Sequence, residues 1–148
     1  MALIKSISGF RGTIGGKTND GLTPIDTVKF VSAFAAFIKE TYNKEKITIV
    51  LGRDARVSGE MVSHLVVGTL MGMGVDVIDT GLSTTPTVEV AVTEKKADAG
   101  IILTASHNPM QWNALKFLNA KGEFISASEG KRVLELAASE NFLFAEVD

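Results

Sequence analysis

One stretch of the sequence places small and polar residues directly after an apolar run: Thr104-Ala105-Ser106-His107-Asn108-Pro109. We expect the serine of such a loop to be exposed, with neighbouring backbone N–H groups available to an anion. His107 is a poor base for Ser106, because successive side chains on an extended backbone diverge. The nucleophile elbow of hydrolases has glycine two residues either side of the serine, where this chain has Thr104 and Asn108. A Ser-His-Asp hydrolase is therefore disfavoured, which leaves either an anion-binding functional loop or an ordinary turn.

Two basic residues elsewhere in the chain could act beside that serine. Lys116 alternates out of an apolar extended segment, so it is either a partly buried acid or base with a lowered pKa or a solvated strand lysine. Arg11 lies in Ser8-Gly9-Phe10-Arg11-Gly12, where a guanidinium close to backbone donors suits phosphate recognition. Gly16-Lys17-Thr18 resembles the end of a P-loop, but Arg11 occupies the position where that motif requires glycine. The sequence thus argues against a nucleotide triphosphatase of the P-loop type.

A third polar segment, Gly52-Arg53-Asp54-Ala55-Arg56, follows a β-branched run at residues 47–51. Two arginines around one carboxylate form either an ion-pair cluster that positions a loop or an electropositive wall beside an anion site. The residue pattern alone leaves both interpretations open.

Helical and extended patterns alternate along the chain, and this alternation predicts where these segments lie. Strands are predicted at residues 3–7, 47–51, 75–79, 99–104 and 114–118, and a glycine-rich loop at 8–22. One helix is predicted to begin after the N-cap Thr23 and to continue through Ile38. Further helices are predicted at 58–73, 85–95 and 127–138. The pattern predicts a three-layer α/β/α domain whose mixed, largely parallel sheet has about four strands joined by crossover helices. In such sheets ligands bind beyond the carboxyl ends of strands, where the loops after Ile7, Leu51 and Thr104 would lie.

Composition narrows the class of protein. The chain has 148 residues, which is typical of one domain, and it has no cysteine, which removes disulfides, thiolate nucleophiles and cysteine-bound zinc. Its net charge of -2 and lack of a basic stripe argue against a nucleic-acid partner. No segment has the length of a membrane span or the pattern of a signal peptide. We therefore expect a cytoplasmic protein with neither a nucleic-acid nor a membrane partner.

Taken together, these segments resemble the α-D-phosphohexomutase superfamily of phosphoglucomutases, phosphomannomutases and phosphoglucosamine mutases. The stretch around Ser106 is similar to the family's phosphoserine motif, and Trp112-Asn113-Ala114-Leu115-Lys116-Phe117 is similar to the segment that follows it. Ser8-Gly9-Phe10-Arg11-Gly12 and Gly52-Arg53-Asp54-x-Arg56-x-Ser58-Gly59 resemble two further family motifs. The four motifs stand in the family's order, and the resemblance covers essentially the whole chain.

The resemblance implies a phosphotransferase chemistry centred on Ser106. This serine would be phosphorylated, would pass its phosphoryl group to a hydroxyl of a hexose or hexosamine phosphate, and would so interconvert 1-phosphates and 6-phosphates. A phosphate oxygen on Ser106 would be a ligand of Mg²⁺, the implied cofactor. Such transfer needs in-line placement and cations on the phosphoryl oxygens, and little else from the protein.

The resemblance also implies roles for the residues around the serine. Lys116 and Arg11 would handle proton transfer and charge near the phosphoryl group, and both would bind phosphate. His107 would take part in catalysis, and Asn108 would contact the phosphoserine or the substrate. Arg53 would add to the phosphate-binding surface.

The family has four domains, and residues 1–148 resemble the first. The sequence has no Asp-x-Asp-x-Asp segment, so the remaining Mg²⁺ ligands are expected in C-terminal domains of the same protein, and the chain alone is expected to be inactive. A phosphoglucosamine mutase-like member is the best match, with a phosphomannomutase or phosphoglucomutase as the alternative. Two rivals remain: a non-catalytic phospho-ligand-binding module and a purely structural domain. The sequence predicts no oligomeric state.

Overall fold

The computed structural model describes residues 2–6 and 8–147, so Ile7, the end of the first predicted strand, lies outside the described residues. The elements in chain order are β1 (Leu3–Ser6), β2 (Gly9–Thr13), α1 (Pro24–Tyr42), β3 (Thr48–Arg53), α2 (Gly59–Gly72), β4 (Asp76–Leu82), α3 (Thr85–Glu94), β5 (Ala99–Leu103), β6 (Trp112–Leu118) and α4 (Ala127–Ser139). Within these residues no helix is long and apolar enough to cross a membrane.

All strands form one mixed sheet in the order β1-β2-β6-β5-β3-β4, which confirms the predicted α/β class. Strand β3 pairs in parallel with β4 and β5, whereas the pairs β5–β6, β2–β6 and β1–β2 are antiparallel. Among the described residues the sheet therefore has six strands rather than about four, and antiparallel pairings outnumber parallel ones. The difference arises at one edge, where residues predicted as loop form β2, which joins the predicted first strand to β6 through antiparallel pairing.

Strand β2 corrects the prediction that residues 8–22 are all loop. Phe10 is buried there and its ring stacks on Phe30 of α1, with centroids 3.9 Å apart. The glycines that suggested a loop instead allow β2 to approach its neighbours. A Cβ on Gly9 would collide with the backbone carbonyl of Leu115 in β6. Glycine in a strand often marks such a close backbone approach.

Replacing Gly9 with alanine is expected to lower the free energy of unfolding by about 1–3 kcal/mol, because β2 must move away from β6. Gly68 provides the matched control, since it lies in α2 with nothing within 4 Å of its Cβ position. There alanine should raise stability by about 0.5–1 kcal/mol, as it does in exposed helix interiors. Urea denaturation of both variants measures the difference. Equal effects of the two substitutions would contradict the close approach of β2 to β6.

Helices begin and end largely where the sequence predicts. Thr23 and Asp26 form a capping box at α1, and Ser126 and Glu129 form another at α4. Each box satisfies backbone N–H groups that a helix start leaves without partners. Ser58 stands at the N-cap position of α2 as predicted, but its side chain makes no capping hydrogen bond.

Helices cover the sheet on both faces, which gives three layers. Helices α1, α2 and α4 enclose the larger core on one face, where Phe34 stacks on Phe117 of β6 at 4.1 Å between centroids. Helix α3 covers the opposite face over β3 and β5, with Val88 and Val92 packed against Ile102. The part of this second face that belongs to β2 and β6 is where the polar residues of the candidate site lie.

Candidate functional site

Arg11 and Lys116 lie side by side on the same face of the sheet. Leu115 and Phe117 point into the larger core, so the intervening Lys116 points to the opposite face. Arg11 of β2 is paired directly with Ala114 of β6, two residues before Lys116, and shares that face. The antiparallel pairing of β2 with β6 thus brings together two cations that are 105 positions apart in the sequence.

The serine loop (residues 104–111) joins β5 to β6 and presents Ser106. This serine is exposed and has a φ of 51°, in the left-handed region that side chains rarely adopt. That conformation costs a non-glycine residue on the order of 1 kcal/mol and persists only where its surroundings fix it. One such restraint is local, because the Ser106 N–H donates to Oγ1 of Thr104 at 3.2 Å. The loop is therefore held in an unusual shape at the residue predicted to react.

A recess of about 220 Å³ separates the serine loop from the sheet face. Its lining includes Ser106, His107 and Asn108 from the loop together with Arg11 and Lys116 from the sheet. We call it the Ser106 recess. Five residues singled out from the sequence are thus neighbours around one small space, and the exposed Ser106 hydroxyl borders it.

The electrostatics of the Ser106 recess favour an anion. Burial and the neighbouring Arg11 cation lower the pKa of Lys116 below its usual value of 10.5, while the Asp54 carboxylate opposes this shift. Within residues 2–6 and 8–147, the side chains of Arg11, Lys116 and Ser106 make no hydrogen bond or ion pair. Among the described residues, these two cations therefore form no ion pair, although Asp54 lies near enough to act on Lys116. They stand near a serine hydroxyl that makes no hydrogen bond there, an arrangement that suits a phosphoryl group.

Arg53, a residue of the predicted site, and Arg56 of the same segment do not line the recess. Nη1 of Arg53 donates to the Asp54 carbonyl at 3.3 Å. Arg56 approaches the serine loop from outside and donates to its backbone. Of the two interpretations left open by the sequence, the geometry favours loop positioning for Arg56.

A buried amide, which the sequence did not single out for a structural role, links the start of β6 to α2. Asn113 is fully buried, its Nδ2 donates to Oγ of Ser58 at 2.9 Å, and its Oδ1 accepts the Ala114 N–H at 2.8 Å. Ser58 does not cap α2 with its side chain: its φ of -74° and ψ of -10° are helical rather than extended, and its Oγ accepts from Asn113. The bond between Asn113 and Ser58 fixes the strand end that follows the serine loop against the helix that follows Arg56.

The side chains of residues 2–6 and 8–147 do not by themselves form a magnesium site. No group of three His, Asp or Glu side chains in the described part of the chain is placed to hold a metal ion. Near the recess the relevant carboxylate, Asp54, already accepts the Arg56 N–H at 3.1 Å. Mg²⁺ usually takes one or two carboxylates with water and phosphate oxygens. A phosphate on Ser106 could supply one ligand, and the carboxylates would have to come from outside the described residues.

Comparison with known proteins gives the same family as the motifs. A family model described as phosphoglucomutase/phosphomannomutase, alpha/beta/alpha domain I, matches residues 3–144. A phosphoglucomutase/phosphomannomutase of Thermococcus kodakarensis is 38% identical over 133 residues, covering 88% of this chain and 29% of that protein. A phosphoglucosamine mutase of Pediococcus pentosaceus is 36% identical over 118 residues, covering 78% and 26%. The chain spans less than a third of the length of these curated relatives.

Solved structures agree on the fold. A protein from Thermus thermophilus, assigned as a phosphomannomutase, has a TM-score of 0.80 and 30% identity, over 93% of this chain and 30% of that one. Residues 3–144, which the family model matches, include all the strands from β1 to β6 and the serine loop. The chain belongs to the phosphoglucomutase/phosphomannomutase family, and its fold is that of the family's α/β/α domain I.

Proposed function

We propose that this chain is the phosphoserine-bearing domain of a hexose or hexosamine phosphate mutase, in which Ser106 receives and donates the phosphoryl group. The observation on which the proposal depends is the convergence of an exposed serine hydroxyl with Arg11 and Lys116, two cations without partners among the described residues. A structural domain would have no need to hold two unpaired cations beside a serine in a left-handed conformation.

In the proposed transfer, a hydroxyl oxygen of the sugar phosphate attacks the phosphorus on Ser106. An O–P bond to the sugar forms as the P–Oγ bond breaks, the sugar hydroxyl loses a proton, and the serine oxygen takes one up. We assign the acceptance and return of this proton to Lys116, whose pKa is lowered by burial and by Arg11. Return of the second phosphoryl group of the bisphosphate to Ser106 reverses these steps and leaves the isomeric monophosphate.

The other lining residues have supporting roles in this proposal. Arg11 stabilises the charge on the phosphoryl oxygens, which is the main requirement of phosphoryl transfer. His107 is a second candidate for proton transfer, since it is exposed and lines the same recess. Asn108 contacts the phosphoserine or the sugar. We assign the remaining Mg²⁺ ligands and the sugar contacts to further domains of the same protein, in keeping with the length of the relatives.

The preferred substrate is a hexosamine phosphate. Several of the relatives are phosphoglucosamine mutases, including those of Pediococcus pentosaceus and Macrococcus caseolyticus, the latter 37% identical over 131 residues. A hexose phosphate is the alternative, which the Thermococcus kodakarensis relative favours. A phospho-ligand-binding module without catalysis is the rival from another class, and it is distinguished by turnover.

A coupled mutase assay with Mg²⁺ tests the proposal on protein purified from its native host. We expect conversion of glucosamine 6-phosphate to exceed that of glucose 6-phosphate and mannose 6-phosphate, and we expect the 148-residue chain alone to show none. Turnover by the chain alone would contradict our assignment of the metal and sugar contacts to other domains. Absence of turnover with every sugar phosphate by the native protein would favour the binding module.

A further inference from the structure

Both terminal nitrogens of the Arg56 guanidinium donate hydrogen bonds to the serine loop and to Trp112, the residue that follows it. Nη2 donates to the carbonyl oxygens of Ser106 at 2.9 Å and Asn108 at 2.8 Å. Nη1 donates to the carbonyl oxygens of Pro109 at 2.7 Å and Trp112 at 2.9 Å. One side chain thus binds four backbone carbonyls across the full length of the loop.

The fifth donor of Arg56 is used as well. Its Nε donates to Oδ2 of Asp54 at 3.4 Å, while Oδ1 of Asp54 accepts the Arg56 backbone N–H at 3.1 Å. A guanidinium has five N–H donors in one plane, and here each has an acceptor. Only 12% of the Arg56 side chain is exposed. It therefore has no donor left for a phosphate, which separates its role from that of Arg11.

The bond to Ser106 acts on the strained residue itself. Arg56 holds the Ser106 carbonyl, and Thr104 holds the Ser106 N–H, so both backbone polar groups of the serine are fixed. A left-handed serine is retained only where the surroundings determine it in this way. Because the backbone conformation sets the direction of the Cα–Cβ bond about which Oγ rotates, the same bonds restrict where the hydroxyl can stand relative to Lys116.

We propose that Arg56 is a positioning residue, which holds Ser106 in its left-handed conformation and so keeps the hydroxyl beside the cations of the Ser106 recess. This inference rests on the proposed function only for its consequence in phosphoryl transfer, and the shape of the loop can be measured without it. Asp54 has the secondary role of orienting the Arg56 guanidinium.

The test compares Arg56→Gln and Arg56→Lys in the ¹⁵N-labelled chain, with Arg132→Gln as the control. Arg132 is an arginine of α4 that forms ion pairs with Glu40 and Glu135, away from the serine loop. Arg56→Gln should lower the backbone order parameters of the serine loop below about 0.6, the range of flexible segments, while β3 and β5 stay rigid. Arg56→Lys should give intermediate values, because a point ammonium cannot bind four carbonyls on two sides. Arg132→Gln should leave the loop unchanged.

Titration with inorganic phosphate, followed by the same amide spectra, gives the functional consequence. We expect the wild-type chain and Arg132→Gln to bind phosphate at the Ser106 recess, and Arg56→Gln to bind at least tenfold more weakly. If the wild-type chain does not bind phosphate, the proposed function is weakened, but the order parameters still decide the role of Arg56. Unchanged loop order in the Arg56 variants would overturn the inference. Should Arg56→Gln fail to fold, Arg56→Lys decides by the same measurement.

Discussion

In protein purified from its native host, replacing Ser106 with alanine is expected to reduce mutase turnover on the order of 10⁴-fold or more, to near background. The reason is that the hydroxyl is the proposed covalent acceptor, and removing a nucleophile removes the pathway rather than weakening one contact. The exposed position of Ser106 means that the loss should come without unfolding. Turnover in the coupled assay and thermal unfolding of the same variant are the two measurements.

Ser128→Ala is the matched control for that substitution. Ser128 is also an exposed serine, but it lies in the first turn of α4, on the opposite side of the sheet from the Ser106 recess. Its turnover should equal that of the wild-type protein. If Ser106→Ala retained substantial turnover, Ser106 could not be the residue that holds the phosphoryl group.

Lys116→Met is expected to slow phosphoryl transfer by roughly 10²–10⁴-fold, which is the usual contribution of a positioned acid or base. Since burial and Arg11 lower the pKa of Lys116, the wild-type transfer rate should rise with pH through a value below 10.5. The variant should lose this rise. Single-turnover transfer of labelled phosphate from the protein to a sugar phosphate, measured across pH, tests both points. An unaltered pH profile would assign the proton transfer to another residue, with His107 as the first candidate.

Lys116→Met should also stabilise the fold. A slower transfer in a variant that is more stable could not be caused by unfolding. A lysine whose pKa is lower in the folded state opposes folding while it is protonated, and this penalty disappears as pH rises through the folded and then the unfolded pKa. At neutral pH the methionine variant avoids the penalty, so its melting temperature should rise slightly. The gain should shrink as pH approaches 10.5, the usual pKa of a lysine. A melting temperature below that of the wild type would contradict the pKa direction.

Local signals in the sequence predict much of this fold. The capping residues Thr23 and Ser126 mark the starts of two helices, and Gly74, a glycine with a φ of 75°, stands just after α2. The buried strands at residues 48–53 and 99–103 follow from their apolar runs. The motifs around Ser106 and Lys116 also lead to residues that the fold brings into one recess. Each of these features depends on residue types within a few positions of one another.

Features that depend on distant partners could not be predicted in this way. The glycines of β2 suggest a loop in the sequence. Gly9 is instead required because β6 lies too close for a Cβ, and this contact is known only from the pairing of the two strands. Arg56 binds backbone carbonyls 50 to 56 positions away. Because every residue has a backbone carbonyl, residue types do not indicate which of them Arg56 will bind. The hydroxyl of Ser58 accepts a hydrogen bond from Asn113, which lies 55 positions away. In each case a long-range contact overrides the local pattern.

The most direct test of the phosphoserine proposal is tandem mass spectrometry of protein purified from its native host, after incubation with a hexose or hexosamine 1,6-bisphosphate and Mg²⁺. We predict one added phosphoryl group, located on Ser106, in the wild-type protein and in Ser128→Ala, and none in Ser106→Ala. Phosphate on another residue, or a wild-type protein that stays unmodified under these conditions, would contradict the assignment of Ser106 as the phosphoryl carrier.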